Sequence, residues 1–275
     1  MNKLFKNILL WTLALVVMLS AYTYQKRTGP TYPKRIHTEI NGSSYKFELP
    51  RTSDSLGNEV VKLTIPDKSV TGYMTYVRYK STDSITNQPM VREGDVLKAY
   101  IPHQAPAGKI VYNLFLTSNN SAAKKITDES VIIRFKGQVP NYILLPHIFF
   151  IFFGMWFAVR TGIEAMTKGD KTHILTICTV VLLFCGGLVL GPIMQKYAFD
   201  AYWTGWPFKG FLKFGDMTDN KTAVMFLSWV VAAWRISVKK EQKWWAIVAM
   251  VVTLVTFLIP HSILGSEIDH TQLPK

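Results

Sequence analysis

Residues 145–159 read LPHIFFIFFGMWFAV, an apolar run that has no polar face. A helix at the surface of a soluble protein keeps a polar face toward water, so this run is typical of a helix surrounded by lipid. It belongs to a longer run, 142–159, whose length as a helix is about 27 Å, close to the hydrocarbon thickness of a bilayer. Four further apolar runs occur at 8–22, 173–193, 222–238 and 244–259. The sequence therefore predicts an integral membrane protein with about five transmembrane helices in a lipid bilayer.

A module of a different kind lies between the first and second apolar runs. There the long runs give way to short stretches in which Val, Ile and Tyr are frequent, as in half-buried β-strands. Seven such strands are predicted, at 35–40, 44–50, 59–66, 70–81, 95–102, 109–118 and 130–137. Seven strands in about 100 residues are typical of an immunoglobulin-like or fibronectin-like β-sandwich. The predicted fold class is thus an α + β membrane protein with an exported β-sandwich between its first two helices.

These patterns divide the chain into four parts. The prediction is an N-terminal signal anchor at 1–25, an extracytoplasmic β-sandwich at 26–138, a four-helix transmembrane domain at 139–262 with an outer loop at 196–221, and an extracytoplasmic tail at 263–275. The first run also has features of a cleaved secretory signal peptide, since Lys3 and Lys6 precede an apolar core. However, Leu19 and Ala21 make a poor small-x-small cleavage site, which favours an uncleaved anchor.

The positive charges of the short connections predict the orientation, because Lys and Arg concentrate on the cytoplasmic side of a membrane protein. Three segments fall on one side if every run spans the membrane. Their basic residues are Lys3 and Lys6, then Arg160, Lys168 and Lys171, then Arg235, Lys239, Lys240 and Lys243. The prediction is therefore a protein of the bacterial cytoplasmic (inner) membrane with its N-terminus inside and its C-terminus outside.

The net charge of +13 does not indicate a nucleic-acid partner. Part of it is the charge of the inner connections, and the lysines of the β-module are scattered rather than grouped into a phosphate-binding patch. The module has only two histidines, His37 and His103, and neither stands near a recognisable catalytic arrangement. We expect the module to bind or dock a protein partner rather than to carry chemistry.

A candidate site is predicted on the outer face of the membrane. Residues 198–222 read AFDAYWTGWPFKGFLKFGDMTDNKT between two apolar runs, and two histidines lie at the outward ends of other runs. Imidazole and carboxylate at one depth suit a divalent metal, and paired imidazoles suit haem iron. The candidate metal ligands are Asp216, Asp219, His147 and His261, and the candidate cofactor-binding residues are His147, His261, Trp203 and Trp206.

Simpler roles compete with this interpretation. Tryptophans gather at membrane interfaces as an aromatic belt, and a histidine at a helix end often only forms a hydrogen bond there. The run from Asp216 to Thr222 could cap the next helix, whose positive end favours carboxylates. The two cysteines, Cys178 and Cys185, lie inside one apolar run and are expected to be packing residues.

The motifs WTGWPF and DMTDNK, the IRFKG–VP junction and the late histidine followed by GSE resemble a group of uncharacterised bacterial, Bacteroidetes-like membrane proteins. That resemblance covers most of the chain and implies no activity. AYWTGWPF is also similar to the tryptophan-rich outer loop of cytochrome c haem-handling proteins. This second resemblance implies that Trp203 and Trp206 would lie against haem and that His147 and His261 would be its ligands, although Gly205 and Pro207 interrupt the family's Trp–Asp core.

The sequence analysis leads to a protein whose outer-face His/Asp/Trp site binds a cofactor or ion, with haem or a divalent metal as the leading candidates. The alternative is a non-catalytic accessory subunit whose β-sandwich docks a partner protein. A small-solute transporter fits less well, because five helices show no inverted repeat.

Overall fold

A computed structural model describes residues 2–54, 56–118, 121–205, 217–259 and 267–271. These residues form two compact units. The helical unit takes its described residues from Met1–Pro30, Val139–Tyr197 and Ala201–Ser266, and the β unit takes them from Thr31–Gln138, Ala198–Asp200 and Glu267–Lys275.

Each of the five predicted apolar runs forms a helix. The helices are α1 (Lys3–Thr28), α2 (Asn141–Met166), α3 (Thr172–Phe199), α4 (Met217–Val238) and α5 (Trp244–Leu258). Within the described residues, α1 to α4 are long and apolar enough to cross a membrane, while α5 is a shorter apolar helix of 15 residues. An α + β protein with this set of helices is consistent with insertion into a lipid bilayer.

The helices extend beyond the apolar runs that predict them. Helix α2 continues past Val159 to Met166, so Arg160 lies inside the helix rather than in the connection where the sequence analysis had placed it. Arg160 is only 2% exposed, and its Nη2 lies 2.7 Å from the carboxylate of Glu164, one turn later. The helix can continue through two charges because they neutralise one another on the same face.

The helical unit packs through small residues and one buried aromatic anchor. A Cβ at Gly154 would lie 2.7 Å from Leu183 on α3, and a Cβ at Gly162 would lie 2.7 Å from Cβ of Met250 on α5, so both glycines allow close helix approach. Trp229 on α4 is fully buried, and its indole N–H donates to Thr253 Oγ1 on α5 at 2.7 Å. These contacts draw α2, α3, α4 and α5 into one bundle.

Helix α1 is part of this bundle. Ala14 is fully buried, and Met18 lies in the same apolar core as Trp229. The backbone oxygen of Trp11 accepts a hydrogen bond from the indole of Trp156 at 3.0 Å. At its other end, Gln25 donates to the oxygen of Phe257 at 2.9 Å. Polar contacts therefore join α1 to α2 and to α5.

The β unit contains the seven predicted strands and four short ones that the sequence analysis missed. The strands are β1 (Lys34–Ile40), β2 (Ser43–Leu49), β3 (Thr52–Ser53), β4 (Glu59–Thr64), β5 (Val70–Arg78), β6 (Thr86–Pro89), β7 (Val91–Glu93), β8 (Val96–Ile101), β9 (Lys109–Ser118), β10 (Lys124–Lys125) and β11 (Val131–Phe135). Burial alternates along β8 and β9, as the sequence pattern predicts for half-buried strands.

The strands form three sheets. Strands β1 and β2 form a hairpin, strands β3-β11-β9-β5-β6 form the largest sheet with β10 added to β9, and strands β4-β8-β7 form the third. The β1–β2 turn is Asn41-Gly42, with φ of 49° and 76°, which suits the two-residue hairpin turn. All three sheets contribute to one apolar core, for example through Phe47, Leu97 and Leu114.

Candidate functional site

Three of the six predicted site residues fall within the described part of the chain. His147 lies near the start of α2, Trp203 follows the end of α3, and Asp219 lies in the first turn of α4. Trp206, Asp216 and His261 lie outside the described residues. The convergence of all six therefore stays a prediction, and the geometry of the site is built from the first three.

His147 is held by a carbonyl of α3. Its Nδ1 lies 2.9 Å from the backbone oxygen of Gly186. A carbonyl only accepts hydrogen bonds, so Nδ1 carries the proton and the neutral ring keeps its lone pair on Nε2. None of the described residues hydrogen-bonds Nε2. The side chain is thus half-buried and oriented, with its basic nitrogen still available.

The carbonyl that orients His147 belongs to an irregular turn. Residues Phe184–Leu190 of α3 form a π-helix, a wider turn that is frequent at functional sites. Pro192 follows it and has no N–H to continue the regular ladder, which gives a local reason for the distortion. Two glycines in the turn, Gly186 and Gly187, let neighbouring helices approach the backbone.

The same turn contacts α4 as well as α2. A Cβ at Gly187 would lie 2.8 Å from Cγ2 of Thr222, and one at Gly186 would lie 3.0 Å from the backbone nitrogen of Ile151. Thr222 lies three residues after Asp219 on α4, and its hydroxyl donates to the backbone oxygen of Thr218 at 2.8 Å. The π-turn therefore lies between the helix that carries His147 and the helix that carries Asp219.

Asp219 anchors the segment that follows α3. Its Oδ2 accepts hydrogen bonds from the backbone N–H of Thr204 at 2.7 Å and of Gly205 at 3.1 Å. The hydroxyl of Thr204 lies 3.4 Å from the same oxygen. Asp219 is 5% exposed. Its carboxylate thus fixes the backbone next to Trp203, a role the sequence analysis did not foresee.

The next two residues on α4 are also buried. Asn220 and Lys221 are each 7% exposed, although both are polar. Lys221 Nζ donates to the backbone oxygen of Ile259 at 2.6 Å, directly after the last turn of α5. A cation suits the negative end of a helix. The sequence analysis placed this run in a loop before the helix, but α4 already begins at Met217.

The acidic residues of the C-terminal segment belong to the β unit. Glu267 forms ion pairs with Lys80 and Lys109, the second at 2.6 Å. The backbone N–H of His270 donates to the oxygen of Lys80 at 2.9 Å. For Glu267, burial opposes ionisation, but the hydrogen bonds from Lys109 and Lys80 outweigh it and lower its pKa. The carboxylate of Glu267 therefore stabilises the β unit through its two lysine partners.

Within residues 2–54, 56–118, 121–205, 217–259 and 267–271, no group of three or more His, Cys, Asp or Glu side chains is arranged to hold a metal ion. Cys178 and Cys185 are free thiols on α3. The described part of the site consists of one oriented imidazole and one buried carboxylate that is bound to backbone amides.

Two interactions of the site were missed from sequence. The signal for the π-turn is Gly186-Gly187 followed by Pro192, but its hydrogen bond to His147 depends on tertiary packing. The contact between Asp219 and Gly205 has a clear requirement for glycine, because a Cβ there would lie 2.5 Å from Asp219 Cβ.

No family model, no curated protein and no solved structure matches the chain. The functional argument consequently depends on the geometry of the site itself.

Proposed function

We propose that the chain is an integral protein of the bacterial cytoplasmic membrane whose outer-face site binds a metal centre, either a divalent cation or haem iron, through His147. The observation that carries this proposal is the hydrogen bond from His147 Nδ1 to the oxygen of Gly186. Histidines that bind metals in proteins commonly donate their other N–H to a backbone carbonyl or carboxylate, which orients the ring and raises its basicity.

In this proposal Asp219 acts as a positioning residue. Its hydrogen bonds to Thr204 and Gly205 hold the backbone that carries Trp203. The tryptophan would then wall the flat face of a cofactor, together with Trp206. Asp216 and His261 remain proposed ligands. Lys221, two residues after Asp219, donates to the oxygen of Ile259, which is two residues before His261 in the chain, and this hydrogen bond supports the inclusion of His261 in the site.

We further propose that the β unit is exported and that its sheets stack as an immunoglobulin-like or fibronectin-like sandwich. The single core shared by the three sheets supports the stacking. The ion pairs of Glu267 with Lys80 and Lys109 support a C-terminus on the same side of the membrane as the β unit.

We also propose that α1 remains in the mature protein as a signal anchor. Removal of α1 would take away Trp11, whose backbone oxygen accepts from the Trp156 indole, and Asn7, which together with Glu164 is one of the two oxygen partners of Arg160. The loss of buried partners is costly, which supports retention over cleavage.

The metal-centre proposal is tested on the full-length protein purified in detergent. Element analysis detects a divalent metal, and the absorption spectrum with a pyridine haemochrome assay detects haem. We expect one of the two at near-equimolar amount, with His147→Ala losing most of it. His173→Ala is the matched control, since His173 lies at the start of α3 and pairs with Ser237. A metal-free and haem-free wild type, or equal loss in both variants, would refute the proposal.

A second candidate is an accessory subunit that docks a partner protein through the β unit. The edge strands favour it, because β6 and β7 each end a sheet and carry or adjoin the exposed side chains of Ile85 and Val91, which are 70% and 53% exposed. A stable complex that survives in wild type and is lost in Val91→Lys, with His147→Ala still bound, would support this role.

A further inference from the structure

The turn between α4 and α5, taken together with the last turn of α4, carries a concentrated positive charge. The basic residues of this α4–α5 turn region are Arg235 in α4 and Lys239, Lys240 and Lys243 after it, and Glu241 is its one acid. In the described part of the chain no carboxylate lies within salt-bridge distance of Arg235. Lys243 has a structural partner, because its Nζ donates to the oxygen of Gly169 at 2.8 Å. The other three cations are available to a ligand.

Two tryptophans enclose the guanidinium of Arg235. Its Cζ lies 5.6 Å from the ring centroid of Trp234 and 5.7 Å from that of Trp245. Trp244 stacks on Trp245 with centroids 4.4 Å apart. Trp234 and Trp244 are 60% and 51% exposed. Exposed tryptophans at a helix end are typical of the headgroup region of a bilayer, where the ring meets lipid and its N–H meets polar groups.

Three buried polar atoms at this turn have no hydrogen-bond partner among the residues that the structure describes. They are Nε of Arg235, Nε1 of Trp245 and Oε1 of Gln242. Buried polar groups in folded proteins are nearly always hydrogen-bonded, so these atoms call for a polar partner that the described residues do not supply. Two of them are N–H donors that suit phosphate oxygens, and the third is an acceptor that suits a hydroxyl.

We propose that the α4–α5 turn binds the headgroup of an anionic phospholipid that carries a hydroxyl group, as phosphatidylglycerol does. Arg235 holds the phosphate, and the planar guanidinium fork matches two phosphate oxygens. The Trp245 indole donates to the same phosphate, and Gln242 accepts from the headgroup hydroxyl. Lys239 and Lys240 add attraction, as basic residues between transmembrane helices do for acidic lipids. The site is independent of His147 and of the orientation of the chain.

The test compares full-length protein in nanodiscs of phosphatidylcholine alone with nanodiscs that also contain phosphatidylglycerol. Native mass spectrometry counts the lipids that stay bound after release from the disc. We expect wild type to retain phosphatidylglycerol in preference, and Arg235→Gln to reduce that retention about fivefold, which is one basic contact. Lys168→Gln is the matched control, because Lys168 is an exposed cation on the neighbouring α2–α3 connection.

A second variant separates charge from geometry. Arg235→Lys keeps the charge but loses the fork, so we expect an intermediate loss, and its elution as wild type in size exclusion confirms folding. Equal losses in Arg235→Gln and Lys168→Gln would overturn the proposal in favour of general charge attraction. Equal retention of both lipids, or displacement of the bound lipid by inorganic phosphate, would overturn it as well.

Discussion

Asp219 and Gly205 are joined across 14 residues of chain by a hydrogen bond from the glycine N–H to the carboxylate, 3.1 Å long. Gly205 packs directly against the first turn of α4, since a Cβ at this position would lie 2.5 Å from the Cβ of Asp219 and 3.1 Å from the backbone nitrogen of Asn220. The first turn of α4 therefore holds the segment that carries Trp203 by direct backbone contact. This relationship makes Asp219 a determinant of the local architecture, whatever the site binds.

The first prediction concerns Gly205→Ala. The new methyl group would overlap the backbone and Cβ of α4, and overpacking of this kind costs about 1–3 kcal/mol of the free energy of unfolding. We expect a lower thermal midpoint for the purified protein in detergent. Gly191→Ala is the control in the same helical unit. A Cβ at Gly191 would lie 3.5 Å from its nearest neighbour, the backbone oxygen of Gly186, which is an ordinary van der Waals distance. Equal midpoints for Gly205→Ala and Gly191→Ala would contradict the proposed close contact.

The second prediction concerns Glu267→Gln. Lys109 has 10% side-chain exposure, and the change would remove its charged partner. We expect the free energy of local unfolding of residues 267–271 to fall by about 1–3 kcal/mol. This is the usual cost when a buried polar group loses its hydrogen-bond partner. Hydrogen exchange of this segment measures it. Glu129→Gln is the control, because the Glu129 side chain is 90% exposed.

The pair also predicts a pH dependence. The pKa of Glu267 is lowered in the folded protein, because hydrogen bonds from Lys109 and Lys80 outweigh burial. A lowered pKa means that the stabilisation is fully present above the ordinary value of 4.5 and is lost as the pH falls through the folded-state pKa. We expect the protection of residues 267–271, taken as the measured exchange rate relative to the intrinsic rate at the same pH, to fall on acidification in wild type and to change little with pH in Glu267→Gln. The opposite order would refute the role of the carboxylate.

The sequence predicts most of the fold because its signals are local. Apolar runs long enough to span a bilayer and strands rich in Val, Ile and Tyr appear in consecutive residues, so five helices and seven strands could be located. The ion pair of Arg160 with Glu164 could not be predicted, because two charges after an apolar run indicate the end of a helix. The contacts of Arg160 with Asn7 and Trp11 depend on the packing of α1, which the sequence does not give.

The site was predicted in part for the same reason. His147 and Asp219 stand out as polar residues beside apolar runs, but their partners are backbone groups, which a sequence does not distinguish. The oxygen of Gly186 becomes a partner only through the π-turn, and the N–H of Gly205 only through a contact across the chain. The candidate residues could therefore be chosen from the sequence, and their role as ligands stays a prediction, but the backbone groups that hold them could not be identified.

The third prediction concerns the retention of α1. If α1 stays in the mature protein, the intact mass of the purified protein includes residues 1–28. Asn7→Ala should then lower the thermal midpoint, because it removes one of the two oxygen partners of buried Arg160 Nη2 and leaves Glu164 as the other, at a cost of about 1 kcal/mol. Asn2→Ala is the control, since Asn2 only caps the exposed start of α1. A mature mass that lacks this segment would show that α1 is a cleaved signal peptide.

The last prediction concerns whether α5 crosses the membrane. Its 15 residues cover about 22 Å as a helix, which is shorter than the hydrocarbon layer, so length alone does not decide the matter. The ion pairs of Glu267 with Lys80 and Lys109 join the C-terminal segment to the β unit and require both on one side of the membrane. If α2, α3 and α4 each cross the membrane, the number of crossings between the two segments is even only when α5 crosses as well, and we therefore predict that α5 is a fourth crossing. Lys243 and the Trp244–Trp245 pair at the start of α5 can extend the span into the interface.

Cysteine labelling tests this crossing. We expect a single cysteine at Thr271, in a background without Cys178 and Cys185, to react with an impermeant thiol reagent from outside intact cells. A cysteine at Lys240 should react only after lysis. Labelling of both positions from the same side would remove the fourth crossing and with it the predicted orientation of the C-terminus.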